Sequence, residues 1–169
     1  MPFTVLLLLA ITLQRLGELA IAARNTRTLL AGGAYEAGRA QYPVMVAFHA
    51  AWLITLWIFG WNQPLQFGFV AALLLLQAAR FWVIATLGNR WTTRIIVVPG
   101  APLVTSGPFR FVRHPNYLVV ALELPLVSLA LGLPWHALLF GIANLGVLAQ
   151  RVRTEDDALR APRPARGGR

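Results

Sequence analysis

Two short stretches hold the residue types that could do chemistry. The first runs Val-Thr-Ser-Gly-Pro-Phe-Arg-Phe-Val-Arg-His-Pro-Asn-Tyr from Val104 to Tyr117. It gathers Gly107, two prolines, two arginines, His114 and the aromatic residues Phe109, Phe111 and Tyr117 between strongly apolar flanks. Irregular polar backbone beside a membrane is tolerated where protein buries it or where it lines a cavity, so this stretch reads as the floor of a ligand site. The second stretch is Arg151-Val-Arg-Thr-Glu-Asp-Asp, ending at Asp157. If a helix continues through it, Arg151 and Glu155 stand at i and i+4 on one face. Carboxylates near a helix C-terminus are opposed by the dipole, and they do little to anchor it to an anionic leaflet. A cationic ligand or basic partner would compensate them. Taken singly, each stretch is also what a capped helix start or a solvated helix end looks like. The Gly-Pro turn and the aromatics beside His114 favour a site.

These residues must be positioned by apolar runs. Phe3–Ala23, Tyr42–Trp61 and Leu65–Leu87 are each long enough for a membrane crossing, which needs roughly 20 residues. Tyr117–Gln150 is apolar again and breaks at Leu133-Pro134-Trp135, so it reads as a helical hairpin. Its first arm is interrupted by Glu123 and Pro125, and arms of about 16 residues call for tilt or local thinning of the bilayer. Residues 24–41 and 88–116 read as polar linkers. Within the second, Arg94-Ile-Ile-Val-Val98 is β-branched and reads as a short extended piece closed by a Pro99-Gly100 turn. The expected fold is all-α and integral to the membrane, with about five transmembrane helices. Residues 1–160 form a single domain, and the Pro/Gly/Arg-rich residues 161–169 are expected to be disordered.

Composition supports the membrane. The chain of 169 residues is 57% hydrophobic and 12% charged, with no cysteine, so thiolate metal sites, disulfides and a cysteine nucleophile are excluded. No metal site is expected. All 15 basic residues are arginine, giving a net charge of +9. Apart from Arg15 and Arg80 they fall in residues 24–41, 88–116 and beyond 150, which is a positive-inside pattern with a cytoplasmic C-terminus. The arginines therefore report topology, and nucleic acid is not an expected partner. Arg15, Glu18, His49, Arg80 and Glu123 lie inside apolar runs, where ionisable groups are functional candidates. Each is either a structural ion pair or a contact to a substrate. Arg15 and Glu18, three apart, pair with one another; Glu123 needs a partner such as Arg80; His49 reads as a hydrogen-bonded bundle histidine.

Val104–Tyr117, followed by Arg-x-Arg-Thr-Glu-Asp at Arg151–Asp156, resembles the isoprenylcysteine carboxyl methyltransferase-like family of integral membrane methyltransferases. The resemblance covers about Arg94 to Leu159. Arg15-Leu-Gly-Glu18 and Arg24-Asn-Thr resemble a bacterial branch associated with alkylpyrone-type polyketide methylation. The resemblance implies a cytoplasmic S-adenosyl-L-methionine pocket built from the 88–117 segment and the end of the last helix. It implies that Leu103, Val104, Phe109, His114, Pro115, Asn116, Tyr117, Glu155 and Asp156 contact the cofactor. It places Arg151 against the acceptor. The family often has tyrosine where this chain has Phe109, which removes a hydroxyl, and glutamate where it has Asp156, which shortens the reach.

The expected function is methyl transfer to an oxygen of a lipophilic acceptor arriving from the bilayer, a carboxylate or acidic hydroxyl on an alkylpyrone-like or prenylcysteine-like molecule. Such an acceptor is already an anion near neutral pH, so Arg151 suffices to position it. A neutral phenol would need a base, with His114 or Glu155 nearest. The expected location is the bacterial inner membrane. A small membrane reductase using a nicotinamide nucleotide, or a transporter or scaffold subunit, are the alternatives. Neither acceptor identity nor oligomeric state is set by the sequence.

Overall fold

The computed structural model describes residues 2–160. Five helices follow the apolar runs: α1 (Pro2–Ala31), α2 (Gln41–Gly60), α3 (Phe67–Leu87), α4 (Pro115–Ala130) and α5 (Pro134–Arg160). Two strands, β1 (Tyr35–Ala37) and β2 (Ile95–Val97), pair antiparallel with Glu36 opposite Ile96. The β-branched piece is thus the extended segment expected of it, and its partner is a strand the sequence did not announce. The tail 161–169 lies outside the described residues.

Two boundaries differ from expectation. α1 does not stop at Ala23 but runs to Ala31, because its last turns present Ala22, Asn25 and Thr26 as a buried face while the arginines point outward. Polar residues propagate a helix as well as apolar ones do once a packed face holds it. The hairpin arms are also unequal. α4 has 16 residues and passes through Pro125 without breaking, packed by Cβ at 3.7 Å from the position a Gly141 side chain would take. α5 has 27 residues and carries the acidic stretch as a continuous helix.

Among these helices α1, α2 and α3 are long and apolar enough to cross a bilayer, and α4 is apolar but shorter. In α5 the apolar run is diluted by His136, Asn144 and Gln150. The core sits away from the polar end, where Leu8, Ile11, Trp52, Leu56, Leu73, Leu124, Val127 and Leu131 meet. Phe67, Leu75, Leu139 and many other large apolar side chains are exposed around the bundle, a surface suited to lipid. The chain is an integral membrane protein.

Between the core and the polar end lies a closed charge network. Arg80 of α3 grips Glu18 of α1 with two hydrogen bonds, Nε to Oε1 at 2.5 Å and Nη2 to Oε2 at 2.6 Å. Its Nη1 donates to Glu123 Oε2 of α4 at 2.8 Å. Arg15 Nη1 donates to Glu18 Oε2 at 2.8 Å, and its Nη2 lies 2.5 Å from Glu123 Oε2 without the alignment of a hydrogen bond. Gln77 donates to Glu123 Oε1 and Gln14 to Glu18 Oε1, and Gln14 also bridges to Gln77. The expected Arg15–Glu18 and Arg80–Glu123 contacts are both present, joined into one neutral set of two cations and two anions. Glu123 is 0% exposed and Arg80 4%, so each charge depends on the others for its solvation.

Removing one member leaves a buried charge unmatched, at a cost of about 3–5 kcal/mol. Glu123→Ala should therefore lower the thermal unfolding midpoint in detergent sharply. The Arg80→Met/Glu123→Leu double variant, which retains the Arg15–Glu18 pair, should recover most of the loss. Equal loss in both, followed by tryptophan fluorescence, would show that packing rather than charge matching dominates there.

Candidate active site

The Val104–Tyr117 stretch is bent into place by Gly107, whose φ is +57°. A Cβ there would lie 2.5 Å from Thr86 Oγ1, so only glycine allows the chain to turn this closely against the end of α3. A single 3-10 turn (Gly107–Arg110) with Pro108 buried follows, and the chain then enters α4 with His114 flanking and Pro115 in the first turn. Proline is favoured there because that N–H has no helical partner anyway. The first turn of α4 thus aims Tyr117 toward the end of α5 and Asn116 toward Trp91.

The two ends meet through side chains. Tyr117 donates its hydroxyl to Glu155 Oε2 at 2.5 Å. His114 Nε2 stands 3.3 Å from Asp156 Oδ1, with Arg113 Nη2 4.0 Å from the same oxygen. The His114 and Tyr117 rings stack with centroids 5.6 Å apart. Arg151 is buried; its Nη2 donates to the Thr93 carbonyl at 2.9 Å, and its guanidinium lies 5.8 Å from the centre of the Tyr117 ring.

Around these contacts is a cavity of about 380 Å³. Leu103 and, from the stretch, Val104, Phe109, His114, Asn116 and Tyr117 form part of its walls, and α5 contributes Arg151, Glu155 and Asp156. Pro115 is the exception. It is buried beneath the helix start and does not line the cavity, so its part is to fix the backbone that presents its neighbours.

Trp91 is a wall residue that sequence reasoning missed. Its indole N–H donates to Asn116 Oδ1 at 3.3 Å, and its carbonyl accepts from Asn25 Nδ2 at 2.8 Å. The Arg24-Asn-Thr triplet thereby ties the end of α1 to the cavity wall. Arg90 reaches across to the Pro102 carbonyl at 2.8 Å and clamps the segment before Leu103. A tryptophan alone in a polar segment was the available signal.

The intramembrane candidates stand apart. Arg15, Glu18, Arg80 and Glu123 are committed to one another and do not line this cavity. His49 does not line it either; its Nδ1 is 2.9 Å from the Met45 carbonyl on its own helix.

The cavity therefore offers two carboxylates, aromatic faces from Trp91, Phe109 and Tyr117, and one buried guanidinium. Glu155 Oε1 has no hydrogen-bond partner among the described residues, leaving an acceptor open to a ligand amine or hydroxyl. Aromatic faces attract a cation by several tenths to about 2 kcal/mol, depending on how dry the site is. The set suits a ligand with cationic and hydroxyl groups beside a second, anionic one.

Residues 69–161 match the family described as the isoprenylcysteine carboxyl methyltransferase family, a range that contains every wall residue named above. A Bacillus subtilis protein, "Uncharacterized protein YpbQ", is 36% identical over 91% of this chain and 95% of its own length. A protein of Haemophilus influenzae, "Uncharacterized protein", is 30% identical over 86% of this chain and 88% of its own. No solved structure matches. With the family match spanning more than half of the sequence and a relative aligned along nearly all of it, the chain belongs to the isoprenylcysteine carboxyl methyltransferase family.

Proposed function

We propose that the protein is a methyltransferase of five transmembrane helices, in a bacterial inner membrane with its polar end in the cytoplasm. It uses S-adenosyl-L-methionine to methylate a carboxylate or acidic hydroxyl of a lipophilic acceptor, of the alkylpyrone or prenylcysteine kind. The observation that carries this reading is the convergence of the 103–117 stretch and Arg151, Glu155 and Asp156 on one cavity inside the family-matched region.

The residues present fit the cofactor chemically. When bound, S-adenosyl-L-methionine supplies an electrophilic methyl group on a sulfonium. Glu155 Oε1 and Asp156 are placed to accept from amine or ribose hydroxyls, and Trp91, Phe109 and Tyr117 provide faces for cation and adenine. Tyr117 holds Glu155 in one rotamer, so the acid is oriented before any ligand arrives. Arg151, fixed by the Thr93 carbonyl, presents its remaining N–H groups to an acceptor oxyanion. Such an arrangement works by close approach and exclusion of water more than by proton transfer. For a neutral acceptor, His114 beside Asp156 is the group placed to take a proton.

Two variants test the assignment. Glu155→Ala should weaken S-adenosylhomocysteine binding, measured by titration calorimetry on the purified protein, by about tenfold or more, equivalent to about 1.4 kcal/mol. Unaltered affinity, or preference of the wild type for a nicotinamide nucleotide, overturns the reading. Arg151→Ala, with Arg151→Lys as the milder change, should keep cofactor affinity while turnover of a lipid extract with labelled cofactor falls about 100-fold or more. Loss of both properties would assign Arg151 to cofactor binding or folding.

A further inference from the structure

A second cavity, of about 540 Å³, opens at the same polar end. It lies between the last turns of α1, the start of α2 and the residues leading into β2. Arg94 lines both cavities, and the Thr93 that borders this one holds Arg151 of the first. None of the cofactor-binding residues assigned above reaches it.

Its charged lining is Arg27, Arg39 and Arg94 with a single acid, Glu36. That acid is already used: Arg94 Nη1 contacts both Glu36 oxygens, at 3.0 and 2.9 Å, and the Arg94 guanidinium lies 4.2 Å over the Tyr42 ring. The Arg27 and Arg39 side chains have no ion-pair or hydrogen-bond partner among the described residues. Thr26 is 8% exposed, lines the cavity, and its hydroxyl has no partner among the described residues. Arginines that only anchor a helix at the headgroups need no shared cavity. Here two unmatched guanidinium groups and the hydroxyl of a largely buried threonine line one cavity. Ala23 and Leu30 form an apolar side, continued down α1 by the exposed Leu16 and Leu19.

We propose that this cavity binds the oxyanion headgroup of an amphiphile, with Arg27, Arg39 and Thr26 on the oxyanion and its apolar chain along α1. Arginine pairs readily with carboxylate, enolate and phosphate through paired N–H bonds. The ligand chemistry has two sources: an ionised methyl acceptor docked here before its oxyanion moves to Arg151, an identification that rests on the function proposed above, or an anionic phospholipid of the bilayer.

Native mass spectrometry of the detergent-purified protein tests it, with oleate, oleyl alcohol and phosphatidylglycerol as probes. Oleate should be retained about tenfold over oleyl alcohol, which differs in lacking the charge. Arg27→Gln/Arg39→Gln should lose that preference, and Thr26→Val should weaken oleate retention while keeping the side-chain shape. Both arginines are exposed, so an unchanged thermal midpoint is expected of the double variant. Preference for oleate over phosphatidylglycerol supports the acceptor as source, and the reverse supports the bilayer lipid. Equal retention of the alcohol, or unchanged retention in the arginine variant, overturns the site. The measurement uses neither cofactor nor turnover. Its failure therefore leaves the methyl-transfer reading intact, and a protein that fails to bind S-adenosylhomocysteine leaves this site intact.

Discussion

Charge matching among Arg15, Glu18, Arg80 and Glu123 is the constraint on which the bundle depends. Apolar packing alone leaves helices in lipid free to slide or rotate, since lipid tails contact them as well as leucine does. Buried charges do not permit that freedom. A small rotation of α3 would unpair Arg80 from one glutamate or the other, so α1, α3 and α4 share one register. Glu123 is six residues, about 9 Å of helix, from Tyr117. The network that fixes the rotation of α4 in the membrane therefore also fixes where the first turn of α4 points its site residues.

The polar end is held by a different set of forces. The β1–β2 ribbon, the Glu36–Arg94 pair and the Asn25–Trp91–Asn116 chain of hydrogen bonds knit the segments between helices into one platform. Gln41 joins it to α5 through Thr154 at 2.8 Å, and Gly38 allows that approach, because a Cβ there would meet the Thr154 methyl at 2.7 Å. Two cavities result, and both have more arginines than acids in their walls: Arg90, Arg94, Arg113 and Arg151 with Glu155 and Asp156 around the first, Arg27, Arg39 and Arg94 with Glu36 around the second. They differ in which groups are left open, a Glu155 carboxylate oxygen in the first and the Arg27 and Arg39 guanidinium groups in the second.

Much of this was legible beforehand, and the reasons are specific. Long apolar runs announced all five helices and placed α2 and α3 to within a few residues, since a run of about twenty apolar residues is what a bilayer crossing needs. The i, i+3 spacing of Arg15 and Glu18 exposed a pair on one helix, and the depth of Glu123 demanded a cation. What stayed hidden was contact across large sequence separation without a charge to betray it. Gln14 reads as an ordinary polar residue until Glu18 and Gln77 flank it. Tyr35-Glu36-Ala37 lacks the β-branching that marked β2, because a three-residue strand is held by its partner rather than by its own propensity. The far end of α1 looked like a linker because its buried face is built from Asn25 and Thr26 instead of aliphatic side chains. In the site the motifs located most of the walls, whereas Trp91 and Arg90 belong to no motif, and a lone tryptophan in a polar segment was the one signal for the first of them.

The ribbon also has a bearing on how the protein is made. Its two strands are separated in sequence by the whole of α2 and α3, so β1 waits unpaired until two further helices have been synthesised and inserted. The carboxylates of the first cavity come later still, at the far end of α5. A nascent chain thus carries Arg27 and Arg39 well before it carries Glu155 and Asp156. The residues that line the second cavity end at Arg94, so its walls are complete in the growing chain well before the acids of the first are reached.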